Sequence, residues 1–292
     1  MRNLRIASWI ALFWGVGFGM GFAYRTAIQT NEALVSEFKS GGLVIGDTFS
    51  INSQILSEKR VINVYFPPGY SESTDMRLPV LYMPDGGLAE DFLHVAGLVQ
   101  VGSGNGTMRP FILVGIQNTE RRRDLTGPTA NAKDKTIAPH VGGSAEFRRF
   151  LREELMPEVS KRYRTTAEKA IVGESLAGLF VIETLFLEPD LFDTYIAFDP
   201  SLWWNDQQML KKSGVEYLPK LPSGKHLFFA NSGESSLAPL VEELKENLRK
   251  SAPKGFDWHS QEFKSETHAT IFHPACLIAF RTMFKPVGNA NK

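Results

Sequence analysis

Six short apolar runs constrain this chain more than any other feature: VINVYF (61–66), PVLYM (79–83), FILVGI (111–116), KAIVG (169–173), YIAF (195–198) and HLFFAN (226–231). Each is β-branched or aromatic and bounded by Pro, Gly, Asn or Asp, which are the marks of a strand. Several alternate too little for a sheet with one wet face, so they predict strands covered on both sides, as in a parallel α/β sheet. Helices must supply that cover. Ser144 is placed to cap a helix running to about Arg162, and residues 236–250 set Leu237, Leu240, Val241, Leu244 and Leu248 on one stripe. The implied architecture is α/β, a mostly parallel sheet with helices on both faces in three layers. Two connections, 84–110 and 117–143, read as long polar loops of the kind that form lids or binding surfaces.

With 292 residues, 43% of them hydrophobic, the chain can bury a full core. Its 32 Lys and Arg balance 32 Asp and Glu, so no overall field favours nucleic acid, which is set aside as a partner. Cys276, the lone cysteine, lies in the apolar run ACLIAF; it reads as a buried thiol and has no internal disulfide partner. Arg2 and Arg5 precede an uncharged segment, 6–24, in the order of an export signal. Its length falls between a signal peptide and a spanning helix. The expectation is an exported protein, periplasmic or extracellular, either released or tethered to the membrane through 6–24. The domains expected are an export segment or anchor at 1–24, a polar linker at 25–42 and a catalytic domain at 43–288.

The densest chemical signal is KAIVGESLAGLFVIETLF (169–186), where an apolar run stops at Gly-Glu-Ser and restarts at once with helical spacing. A nucleophile on a strand-to-helix turn needs strained backbone and small residues two places before and after it; Gly173 and Ala177 supply them around Ser175. Ser175 would then stand at a helix amino terminus, where N–H groups favour a developing oxyanion. A serine needs a base, and the chain order of this fold is Ser, acid, His, leaving His259, His268 and His273. His259 begins the alternating segment WHSQEF, and His273 precedes Pro274 at a helix start. His268, in the polar turn SETHAT between them, is the expected base.

The acid should follow a strand between Ser175 and His268. Glu234, three residues past HLFFAN, fits best; Asp199, ending YIAFD, is the rival, and a Ser-His pair with no third member is the remaining alternative. The oxyanion donors expected are the N–H of Leu176 and, from the glycine loop after PVLYM, that of Gly87. No cluster has metal-ligand spacing, and no metal or cofactor is expected.

With those residues placed, the sequence resembles the putative-esterase family of α/β-hydrolases, and within it the siderophore-esterase branch. The likeness covers about 43–285 through SEKRVINVYFPPGY, LPVLYMPDGG, RRRDLTGPT, GESLAGLF, DPSLWWND and ETHATIFHPA. It implies an α/β-hydrolase fold, Ser175 as nucleophile, His268 as base and an oxyanion N–H from the Asp-Gly-Gly loop. It also implies that Arg123, Asp124, Trp203 and Trp204 lie near the substrate pocket. The chain departs from the family in carrying Asp199 and Glu174 where many relatives have serine and histidine. The function implied is a serine carboxylic-ester hydrolase acting on a small-molecule ester, siderophore or otherwise aromatic. Acyl transfer by the same residues, or a catalytically silent hydrolase fold used for binding, are the alternatives.

Overall fold

The computed structural model describes residues 41–234 and 236–286. The expected export segment and all but the end of the expected linker lie outside the described residues, as does the expected domain end at 288. Contacts divide the chain after Val44, and the unit from Ile45 onward carries every element below. Among the described residues no helix is long and apolar enough to cross a membrane.

The elements run β1 (Gly46–Ser53), β2 (Glu58–Tyr65), β3 (Leu78–Pro84), α1 (Phe92–Gly104), β4 (Ile112–Ile116), α2 (Arg121–Asp124), α3 (Ser144–Phe150), a π-helical turn (Leu151–Leu155) and α4 (Met156–Arg162). They continue with β5 (Thr165–Glu174), α5 (Leu176–Leu187), β6 (Thr194–Phe198), α6 (Trp204–Lys212), β7 (His226–Ser232), α7 (Ala238–Ser251), β8 (Asp257–Phe263) and α8 (Phe272–Met283). Eight strands make one sheet in the order β1-β2-β4-β3-β5-β6-β7-β8. Only the pairings of β2, with β1 and with β4, are antiparallel. This is the α/β-hydrolase fold, in the three layers expected.

Strand geometry sends successive side chains to opposite faces, and both faces here are buried. In β3, Val80 and Tyr82 join one core with residues of α3, α4, α5 and α7, while Leu81 and Met83 join the other with residues of α1 and α8. Helix α5 is buried almost all round, as a helix between a sheet and further helices must be. Burying each of Leu179, Val181, Ile182 and Leu185 is worth ~1.5–3 kcal/mol over leaving it exposed. That packing fixes the start of α5, and with it Ser175.

Several expectations are corrected. Strand β1 lies at the sheet edge with an exposed, polar alternation, GDTFSINS, that gives no apolar run to find. The connection 84–110 contains the buried helix α1, whose FLHVAGLVQVGSG is apolar enough for a core helix. Gly143, rather than Ser144, occupies the cap position of α3, because the Ser144 hydroxyl is turned inward to donate to the buried Glu183 carboxylate. Cys276 is buried, as expected.

Candidate active site

Strand β5 ends at Glu174 and α5 begins at Leu176, so Ser175 alone turns the chain. Its φ of 60° and ψ of −119° lie where an L side chain rarely sits, a strain of order 1–3 kcal/mol that neighbours must hold. They do so through three backbone bonds. The Ser175 N–H donates to Phe198 O at 3.0 Å, and its carbonyl accepts from Leu179 at 2.9 Å and Ser201 at 3.1 Å. Gly173 is required by close approach: a Cβ there would stand 2.7 Å from Ala177. The small residues read around the serine therefore perform the packing assigned to them.

His268 lies on the loop between β8 and α8, with Nε2 3.0 Å from Ser175 Oγ. Its Nδ1 is 3.1 Å from Oδ2 of Asp199. Asp199 follows β6 with φ 38° and is fully buried; its Oδ1 accepts the Ser232 N–H at 2.7 Å. Glu234, the first choice for the acid, is corrected. It is exposed beyond β7 and makes no hydrogen bond to His268. The turn at Asp199 carries its carboxylate across to the end of β7, where the Ser232 N–H anchors it below the imidazole. Burial opposes the Asp199 anion, but hydrogen bonds from His268 and Ser232 hold its pKa below the ordinary value. The same bond to Asp199 raises the pKa of His268.

A second carboxylate reaches the histidine. Glu174 Oε1 is 3.4 Å from His268 Nδ1, buried, and without a hydrogen-bond partner. Burial lifts its carboxyl to about 7, against the pull of His268 and Arg121. Arg121 grips Asp85 through Nε and Nη2 at 2.6 and 2.8 Å, and Nη2 is 3.5 Å from the Glu174 carbonyl. Asp85 was not singled out in the sequence, although it opens the glycine loop, and Arg121 stood there only as part of the arginine run, with no link to the elbow.

Leu176 supplies the first N–H of α5, which has no acceptor within its own helix. The other expected oxyanion donor is corrected: the Gly87 N–H donates to Glu90 Oε2 at 2.6 Å, while Glu90 N–H returns a bond to Gly87 O. This reciprocal turn engages the donor locally. Asp124 is also corrected. It is buried and receives Arg60 at 2.6 Å and Arg123 at 2.7 Å, and Arg123 also bonds Glu58. That is a scaffold of ion pairs, although Arg121, Arg122 and Arg123 also line a surface cleft of 420 Å³ with Pro139 and His140. The tryptophans split: Trp204 is buried and donates to Gly127 O at 2.8 Å, and Trp203 is 39% exposed. His259 lies exposed on β8 and His273 stands 3.4 Å from His94. Among the described residues no group of three or more His, Cys, Asp or Glu is placed to hold a metal.

The family model of putative esterases matches residues 53–228. The chain is 30% identical over 292 residues to the ferri-bacillibactin esterase of Bacillus subtilis, covering 90% of this chain and 97% of that protein. A solved IroE-like serine hydrolase from Shewanella oneidensis aligns with a TM-score of 0.71 at 30% identity, over 82% of this chain and 80% of that one. The BES protein of Bacillus cereus, at 22% identity, aligns with a TM-score of 0.73 over 86% and 98%, a likeness of fold. With its fold and more than half its length matched in this way, the chain belongs to the putative-esterase family of α/β-hydrolases and is an ester hydrolase.

Proposed function

We propose that this protein is a serine carboxylic-ester hydrolase working through an acyl-enzyme, with Ser175 as nucleophile, His268 as base and Asp199 as acid. The observation that carries the reading is the unbroken chain from Ser175 Oγ to His268 Nε2 at 3.0 Å and from Nδ1 to Asp199 Oδ2 at 3.1 Å. Ser175 Oγ attacks the ester carbonyl as its proton passes to Nε2, and the Asp199 carboxylate stabilises the imidazolium. The carbonyl oxygen takes the negative charge beside the Leu176 N–H and the amino end of α5. Collapse breaks the C–O bond, and the departing alkoxide takes the proton from Nε2. Water then attacks the acyl-serine with the same base, returning the acid and free Ser175.

For the substrate, we assign a siderophore or other aromatic ester. The relative at 30% identity is named for the ester of a ferric siderophore. Trp203, exposed and two residues beyond Ser201, whose N–H donates to the Ser175 carbonyl, carries the kind of aromatic face such an ester would stack on. The test is turnover of p-nitrophenyl acetate, catecholate siderophores and feruloylated sugars by wild type and Ser175→Ala. The reading expects hydrolysis by wild type and a loss of at least ~10³-fold in the variant, and full activity in the variant contradicts it.

We also assign residues 1–24 to export, on the order of Arg2, Arg5 and the uncharged run after them. Cell fractionation should find the enzyme outside the cytoplasm.

A further inference from the structure

Glu174 is an expensive residue in its place. A carboxylate oxygen buried without a hydrogen bond loses its water and gains no partner. Its neighbours do not neutralise it: Arg121 is engaged bidentately by Asp85, Asp199 and Asp91 add negative charge around Glu174 itself, and Asp199 and Glu234 do so around the imidazole. The one group its free oxygen faces is His268 Nδ1, at 3.4 Å and outside hydrogen-bond alignment. The geometry at Nδ1 is therefore double, with a hydrogen bond to Asp199 at 3.1 Å and an unscreened carboxylate beside it.

We propose that Glu174 is a second carboxylate partner of His268, a positioning residue that stabilises the imidazolium alongside Asp199 and takes over part of its role when Asp199 is lost. The inference rests on the acyl-enzyme reading given above. Glu174 is fixed for this task by its place in the chain, as the last residue of β5 and the neighbour of Ser175, so the elbow that sets the nucleophile also sets the second anion. Arg121 Nη2 lies 3.5 Å from the Glu174 backbone carbonyl, a further contact at the end of the strand. Burial lifts the Glu174 carboxyl to about 7 while Asp199 and Glu174 raise His268, so the two groups titrate as an interacting pair.

A negative charge beside Nδ1 favours the cation, so its removal lowers the histidine pKa and weakens the imidazolium in the transition state. The test is kcat/KM against pH for p-nitrophenyl acetate in wild type, Glu174→Gln, Asp199→Asn and the double variant, together with 15N NMR titration of the His268 ring. Glu174→Gln should move the acid limb and the ring titration to lower pH and cost about 3–10-fold in kcat with KM little changed. In the Asp199→Asn background the same substitution should cost more than about 30-fold, because Glu174 is then the remaining carboxylate at Nδ1. Glu174→Asp should recover part of the pH profile. An unmoved ring titration, or an equal cost in both backgrounds, overturns the proposal. The ring titration reads the contact even in an inactive protein. Ser175→Ala controls the reaction itself, so a failure of the mechanism shows in that variant and a failure of this inference shows only in the Glu174 set.

Discussion

In the cluster of Arg60, Glu58, Arg123 and Asp124, every carboxylate oxygen accepts from a cation, and the Arg60 guanidinium lies over the rings of Phe147 and Phe150 at 5.2 and 5.8 Å. At the other end of the short helix α2, Arg121 grips Asp85 and reaches the Glu174 carbonyl, and one Glu174 oxygen, beside His268, is left with no hydrogen bond at all. The two glutamates record the difference. Burial opposes the Glu58 anion, but bonds from Arg123, Thr119 and Arg60 draw its pKa down to about 2. Glu174, also penalised by burial and lacking such bonds, rises to about 7. Paired carboxylates hold the fold in the first cluster, although Arg60 Nε and Nη2 go without a partner there, and an underpaired carboxylate sits beside a histidine in the second.

Asp199→Asn should break the reactive cluster most severely, lowering kcat by about 10³–10⁴-fold, about 4–5.5 kcal/mol in the barrier, in a p-nitrophenyl ester assay. In the same assay Glu234→Ala should stay within about threefold, since its carboxylate makes no bond to the imidazole. A large loss at Glu234 would return the acid to the residue first expected from the sequence.

Asp124→Ala tests the paired cluster. It leaves Arg60 buried without its main partner, and urea unfolding should show a loss of about 3–5 kcal/mol while kcat of the folded enzyme stays within about threefold. If kcat collapses with stability intact, the division between the clusters is false.

The two glutamates should have opposite pH signs. Glu174 is raised above its ordinary 4.5, so its contribution to stability is present below pH 4.5 and lost as pH rises through about 7. Glu174→Gln should therefore be more stable than wild type by about 1–3 kcal/mol at pH 8, with the gain fading toward pH 4. Glu58 is depressed, so its contribution is present above pH 4.5 and lost as pH falls through about 2. Glu58→Gln should cost about 1–2 kcal/mol at pH 7, the smallest of these effects because the side chain is partly exposed.

The central strands and the elbow were legible because their signals are local. Doubly buried strands must be apolar throughout, and the turn at Ser175 demands Gly173 and Ala177 within two residues of it. Edge strand β1 has no such demand and left no apolar mark. The acid was legible only as a set of alternatives, Glu234, Asp199 or none, because Glu234 and Asp199 both follow strands between Ser175 and His268. What separates them is the positive φ at Asp199 and the Ser232 N–H that captures its carboxylate, and neither is written in residue spacing. The run Arg121–Asp124 misled in a similar way. Its charges divide between two clusters according to which side of a four-residue helix they leave, so Arg121 reaches the elbow while Arg123 and Asp124 brace Arg60.

The central claim is that Ser175 is the reactive group at the end of this hydrogen-bonded chain. Wild type and Ser175→Ala should be treated with a fluorophosphonate and the modified peptide located by mass spectrometry, with residual esterase activity followed in parallel. The account predicts one adduct, on Ser175, appearing as turnover is lost, and no adduct in the alanine variant. Labelling at another residue, or an alanine variant that hydrolyses esters at the wild-type rate, would contradict it.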